Sequence, residues 1–288
     1  MSIDRQALDE LVIPSGTKAE ERAIVTDADV LVGGRSDIGF AIRGESVLVG
    51  EGVNLDGDIE AEGDCRLGMW SSVAGSVLVA RDAYLGERVS VDGKLVVGRD
   101  LDIGDDVTID EGFEANGWIV IRNPMPLIVF FIAYVAHVLR SGDEEALEVL
   151  QDAADAAKAE LQTVTDGAPV LLVPRGASIT DDVWEVNAPA EIGSECRLNG
   201  NLRASRILVD EDTSIYGSLR SQTDISVGAG STIHGDIVAK HGSVELSPGT
   251  VVKGDVRAHD LTLTPDTVIE GTMRARGTVD MHEPAPTA

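Results

Sequence analysis

VLVGEGVNLDGDIEAEGD (47–64), CRLGMWSSVAGSVLVARD (65–82), AYLGERVSVDGKLVVGRD (83–100) and LDIGDDVTIDEGFEANGW (101–118) follow one another without a gap and align as copies of one 18-residue unit. Gly50, Gly68, Gly86 and Gly104 share the fourth place, and Gly57, Gly75 and Gly93 the eleventh, where Glu111 breaks the column. Apolar residues fill places 3, 9 and 15, as in Leu85, Val91 and Val97, and mostly places 1, 7 and 13, as in Leu101, Val107 and Phe113. Alternation of the form V-x-V ending at a glycine is strand periodicity cut by a turn. Three such strands per copy close one triangular coil, and stacked coils bury each inward place against itself.

A second array follows after a break. Its eleventh-place glycines are Gly200, Gly217, Gly235, Gly254 and Gly271, and its fifteenth place reads Ala204, Ser221, Ala239, Ala258 and Ala275. The spacing slips between 17 and 19 residues, and corners absorb the slips because an extra loop residue costs little. GNLRA, GSLRS, GDIVA, GDVRA and GTMRA in this array repeat GDIEA of the first, so the two look like copies of one unit. The fold expected is all-β: two three-sided β-helix domains joined by a helical hairpin. Its parts are an N-terminal segment (1–23), a first domain (24–122), an apolar plus an amphipathic helix (123–167), a second domain (168–281) and a tail (282–288). The columns leave the hand of the helix open, because hexads such as Leu85-Gly86-Glu87-Arg88-Val89 also occur in left-handed acyltransferase helices.

Charge narrows the function. With 50 Asp and Glu against 23 Lys and Arg, a net charge of −27, the chain repels nucleic acid and anionic surfaces. Eighteen Arg against five Lys in so acidic a chain points to a salt-rich, halophilic cytoplasm that screens the self-repulsion. Cys65 and Cys196 form no CxxC pair and sit at inward places, which predicts two buried free thiols. The start, MSIDRQALDELVIPSG (1–16), has acidic residues where a signal peptide is basic, so no export is expected.

The recurring G-x-[IVL]-x-[AVS] columns with a 17 to 19 residue period resemble the bactofilin family of polymer-forming cytoskeletal proteins, over residues 30–122 and roughly 170–281. A tandem, acidic chain is most similar to the archaeal members called halofilins. The resemblance implies right-handed, three-sided β-helices that join end to end into nonpolar filaments without nucleotide or cofactor. Self is then the partner, and support of cell shape or membrane-proximal organisation the role. Bactofilins generally carry one such domain and an N-terminal targeting stretch, and this N-terminus has no comparable apolar run.

Residues 127–139 run apolar with His137 as the strongly polar exception. As a helix they span about 20 Å, short of the roughly 30 Å hydrocarbon layer. One reading makes the helix an end cap. The other places Phe130, Phe131 and Tyr134 in a membrane interface or a partner, giving a cytoplasmic protein with membrane association. Ser141 and Glu144 make a capping box for the second helix.

For assembly, the terminal-coil residues Phe113 and Trp118 of the first array and Met273 and Met281 of the second are the candidates, because a last coil leaves its cross-section and backbone groups unpaired. Two alternatives stand beside the scaffold. A hexapeptide-repeat acyltransferase or γ-carbonic-anhydrase-like enzyme would use histidines, and His241 and His259 are 18 apart. A non-polymerising binding module is the other. No catalytic, cofactor or metal residue is expected: acidic pairs such as Asp105-Asp106 suit turns, and no P-loop or dinucleotide glycine motif occurs.

Overall fold

The computed structural model describes residues 10–121 and 169–281. Strands of two to four residues, three to a coil, stack into three long sheets. Within each array the stacking is parallel and in register: Cys65 lies between Val47 and Ala83, and Ala83 is followed by Leu101. Register keeps every place of the repeat over itself, so the inward places become continuous apolar columns. Val49, Leu67, Leu85 and Ile103 form one, and Ile59, Val77 and Leu95 another, all buried. Each such side chain contributes about 1.5–3 kcal/mol of hydrophobic stabilisation.

Fourth-place glycines follow from the same stacking. A Cβ on Gly68 would stand 2.5 Å from the carbonyl carbon of Gly50, and one on Gly104 2.7 Å from that of Gly86. Backbones about 4.8 Å apart leave no room there for a side chain. Place 6 turns each corner in the left-handed region, with φ of 64°, 58°, 57° and 57° at Gly52, Trp70, Arg88 and Asp106. Buried hydroxyls close the corners: Ser71 Oγ donates to the Gly50 carbonyl and Ser231 Oγ to that of Asp210, each at 2.8 Å.

The expected pair of separate β-helix domains is corrected at the join. Sheets of 14, 12 and 12 strands run through both arrays, which make one solenoid of about twelve coils. The cause is an exchange of strands. Leu11–Ile13 pairs in parallel with Ala190–Ile192 of the second array, and Val170–Val173 in parallel with Asp29–Val32 of the first. These two exchanged strands meet antiparallel, Val12 opposite Leu172. Next, Lys18–Glu20 joins Arg197–Asn199, and Ser178–Ile179 joins Asp37–Ile38. Each then reverses in a hairpin back into its own array. In the first hairpin Glu21 and Arg22 both have positive φ, 51° and 60°, the type I′ geometry that strand twist demands.

The join is pseudo-symmetric down to single atoms. Ser36 Oγ donates to the Pro174 carbonyl at 3.1 Å, and Cys196 Sγ stands 3.2 Å from the Pro14 carbonyl. Phe40 and Trp184 meet edge to face with centroids 5.7 Å apart. Leu11–Ile13 and Lys18–Glu20, set apart in the sequence as part of an N-terminal segment, are therefore strands of the solenoid. The expected helical hairpin, with Phe130, Phe131 and Tyr134, lies outside the described residues. Among the described residues there is no helix, and so none long and apolar enough to cross a membrane.

Candidate assembly surfaces

Because both arrays start at the join and run outwards, the solenoid ends twice in a C-terminal coil. The edge strands of the first array are Thr108–Ile109, Phe113–Ala115 and Ile119–Ile121; those of the second are Val268–Ile269, Met273–Ala275 and Val279–Met281. Among the described residues each has a neighbour on one side only. Backbone donors and acceptors on the other side are open to a further strand.

The inward columns continue into these coils and emerge uncovered. Leu95 is fully buried, while Phe113, next in its column, is 41% exposed. At the other end Val256 is 1% exposed and Met273 51%. Ile121 and Met281, which follow buried Ile103 and Leu263, are each 68% exposed. Trp118, a corner residue, is exposed as well, and its backbone N–H donates to Asp100 Oδ1 at 2.7 Å. The four residues singled out in the sequence thus lie two at each end. Ile119, Ile121, Val268 and Val279 belong to the same surfaces and were missed. Extending the inward columns by one coil finds Ile119, Ile121 and Val279.

A second pattern unread in the sequence is a ladder of corner aspartates. Asp64 Oδ1 accepts the Asp82 N–H at 3.1 Å, Asp82 that of Asp100 at 3.0 Å, and Asp100 that of Trp118. The second array repeats the device with Asp236 to Asp255, Asp255 to Thr272 and Asp260 to Thr278. Each carboxylate ties its coil to the next; in the first array the visible signal was the recurrence of Asp at the eighteenth place, while Asp236 and Asp255 follow the eleventh-place glycines. Hydrogen bonds from Thr278 and His259 bring the Asp260 carboxyl down from 3.8 to about 2, and those from Ser243 and Thr272 lower Asp224 and Asp255. Depressed carboxyls add stability above their unfolded value near 3.8 and lose it as pH falls through the folded value. The melting temperature is therefore expected to fall between about pH 4 and pH 2, and Asp260→Asn, followed by circular dichroism across that range, should flatten part of the slope.

Among the described residues neither histidines nor cysteines converge on a reaction centre. Ser243 pairs with Asp260, which sets His259 beside Gly242 and puts His241 and His259 one residue out of column. His259 Nδ1 is instead 2.8 Å from Asp260 Oδ2, and His234 stacks on Tyr216 at 4.1 Å. Among the described residues no three His, Cys, Asp or Glu are grouped to hold a metal. Cys65 and Cys196 are buried free thiols, as expected, and burial pushes the Cys65 thiol up to about 12, leaving it unreactive at neutral pH.

Residues 183–286 match the family model of the bactofilins, described as polymer-forming cytoskeletal proteins. No curated protein and no solved structure matches the chain.

Proposed function

The chain carries a bactofilin domain, and on that premise we propose that it is a cytoskeletal scaffold that polymerises end to end with itself, without nucleotide. The observation that carries the reading is the pair of uncovered outer coils. In each, the inward columns surface beside three strands that lack an outer neighbour among the described residues. Stacking a further coil would return those side chains to the environment of Leu95 or Val256 and pair the open edges in one step. A rod about twelve coils long, assembled this way, suits support of cell shape or organisation near a membrane.

Met273→Glu or Met281→Glu tests it. Both side chains are exposed in the single chain, so circular dichroism and melting temperature should stay within the small range of surface changes. Filaments seen by electron microscopy should shorten or vanish. Filaments of unchanged length would remove these residues from the contact.

A further inference from the structure

In the strands of the 14-stranded sheet, buried residues alternate with residues that face outwards. Across the join those outward residues are aliphatic. Leu48, Leu31, Leu172 and Val12 follow one another in register, each partly exposed between two buried neighbours on its own strand. Beyond Leu48 the column continues with Arg66 and then Tyr84, which is 46% exposed with the Arg66 guanidinium 5.7 Å from its ring centre. In the second array the same column turns polar, with Ser226, Glu245 and Thr262. Every strand among the described residues belongs to one of the three sheets, so none lies over this apolar stripe.

The path of the chain says what crosses it. Ile119–Ile121, the outer strand of the first array, and Val170–Val173, at the join, both belong to this sheet and stand six strand spacings apart. At about 4.8 Å per spacing that is roughly 29 Å. Residues 122–168 therefore leave the sheet at its outer edge and return to it beside Leu31, and the shortest route between the two points runs past Tyr84 and Leu48. Their 47 residues are ample for that distance.

Charge selects which part of the connection fits. Residues 143–160 carry seven carboxylates and one lysine, and one flank of the stripe is lined by Asp29, Asp64 and Asp82, which repel them. Residues 127–139 carry no carboxylate and no Lys or Arg. On the other flank, two residues beyond Leu31, Leu48 and Tyr84, stand Gly33, Gly50 and Gly86, so no side chain there holds a covering segment away. We propose that the outward stripe of Leu48, Leu31 and Leu172 is the docking site of this chain's own residues 127–139, laid along the first-array side of the 14-stranded sheet. The column is then apolar on the half that the connection passes and polar on the half that it does not. Phe130, Phe131 and Tyr134 serve neither as an end cap nor as a membrane contact, and both outer coils stay open. The inference does not depend on polymerisation.

Thiol labelling of the full chain, free of lipid, tests it. Leu48→Cys and Leu172→Cys place a thiol on the stripe, Leu78→Cys places one at a 42% exposed outward position of another sheet, and the native cysteines are buried. Docking predicts that adding Phe130→Asp with Phe131→Asp, under native circular dichroism, speeds maleimide labelling at the two stripe positions by about tenfold and leaves Leu78→Cys unchanged. Unchanged labelling at the stripe would overturn it, as would protection that is lost when the parent variants are diluted, the mark of a second copy. Should the Asp variant not fold, Phe130→p-benzoylphenylalanine in the otherwise native chain decides: photolysis should give adducts within one chain on the peptides of Leu31, Leu48, Tyr84 or Leu172. Adducts on Phe113–Ile121 or Met273–Met281 would make the segment an end cap. Absence of adducts, with flotation on phosphatidylglycerol–phosphatidylcholine vesicles, would make it a membrane contact, and either result overturns the docking.

Discussion

Replacing Phe40 with Ala is expected to lower the unfolding free energy by about 3–5 kcal/mol, the cost of emptying a fully buried ring site. Trp184, its partner in the join, is larger but should cost less when cut to Ala. Its indole Nε1 is buried with no hydrogen-bond partner among the described residues, and an orphaned donor costs about 1–3 kcal/mol that truncation returns. Trp184→Phe keeps a ring against Phe40 and removes the orphan, so it should be close to neutral or stabilising. The double Ala variant should fall short of the summed losses by the edge-to-face contact, about 0.5–1.5 kcal/mol. Urea unfolding of the wild type and the four variants measures all these terms. A Phe40→Ala loss below about 1 kcal/mol would mean that the two arrays do not pack through this join.

Coils were legible in the sequence because their order is local. A glycine that must face the glycine 18 residues on, as Gly68 faces Gly50, leaves a mark at fixed spacing. So does an apolar side chain that must lie over its own copy, as Leu85 lies over Leu67. The join left a different mark. LVIPSG (11–16) and LLVPRG (171–176) are near copies, and the strands that open them would satisfy the periodicity of either array. Which array each completes is a choice between partners more than 140 residues apart, made by Val170–Val173 pairing with Asp29–Val32. No local spacing records that choice, and the expectation of two separate domains failed there. The outer ends were legible in kind, through Phe113, Trp118, Met273 and Met281. Their extent was not, since exposure of Ile119 or Val279 depends on which coil is last. Corner aspartates such as Asp64 and Asp82 went unread because side-chain preference for turns and acceptance of the next coil's N–H select the same residue.

Assembly is expected to strengthen with salt. Residues 83–121 carry net −6 and residues 243–281 net −2; taken as point charges about 10 Å apart in water, two such ends repel by about 2 kcal/mol when the Debye length is about 10 Å at 0.1 M. At 1 M the Debye length is about 3 Å and the repulsion drops to a few tenths of a kcal/mol. Screening also weakens any pairing of Arg274 and Arg276 with the opposing carboxylates, but exposed pairs contribute at most about 1 kcal/mol each. The apolar part of the contact does not weaken in KCl. Both arginines are already counted in the net −2, so the net repulsion sets the sign of the salt effect, and over that range the association constant should rise by up to about tenfold, 1.4 kcal/mol. Arg274→Glu with Arg276→Glu makes the second-array end net −6 and raises the charge product threefold, so this variant should need still more salt to reach the same extent of polymer. Sedimentation of wild type and variant across a KCl series reads both effects as the salt concentration at which half of the protein pellets. More polymer at low salt in the wild type would show that ion pairs, and not the covering of Phe113, Ile121, Met273 and Met281, dominate the contact.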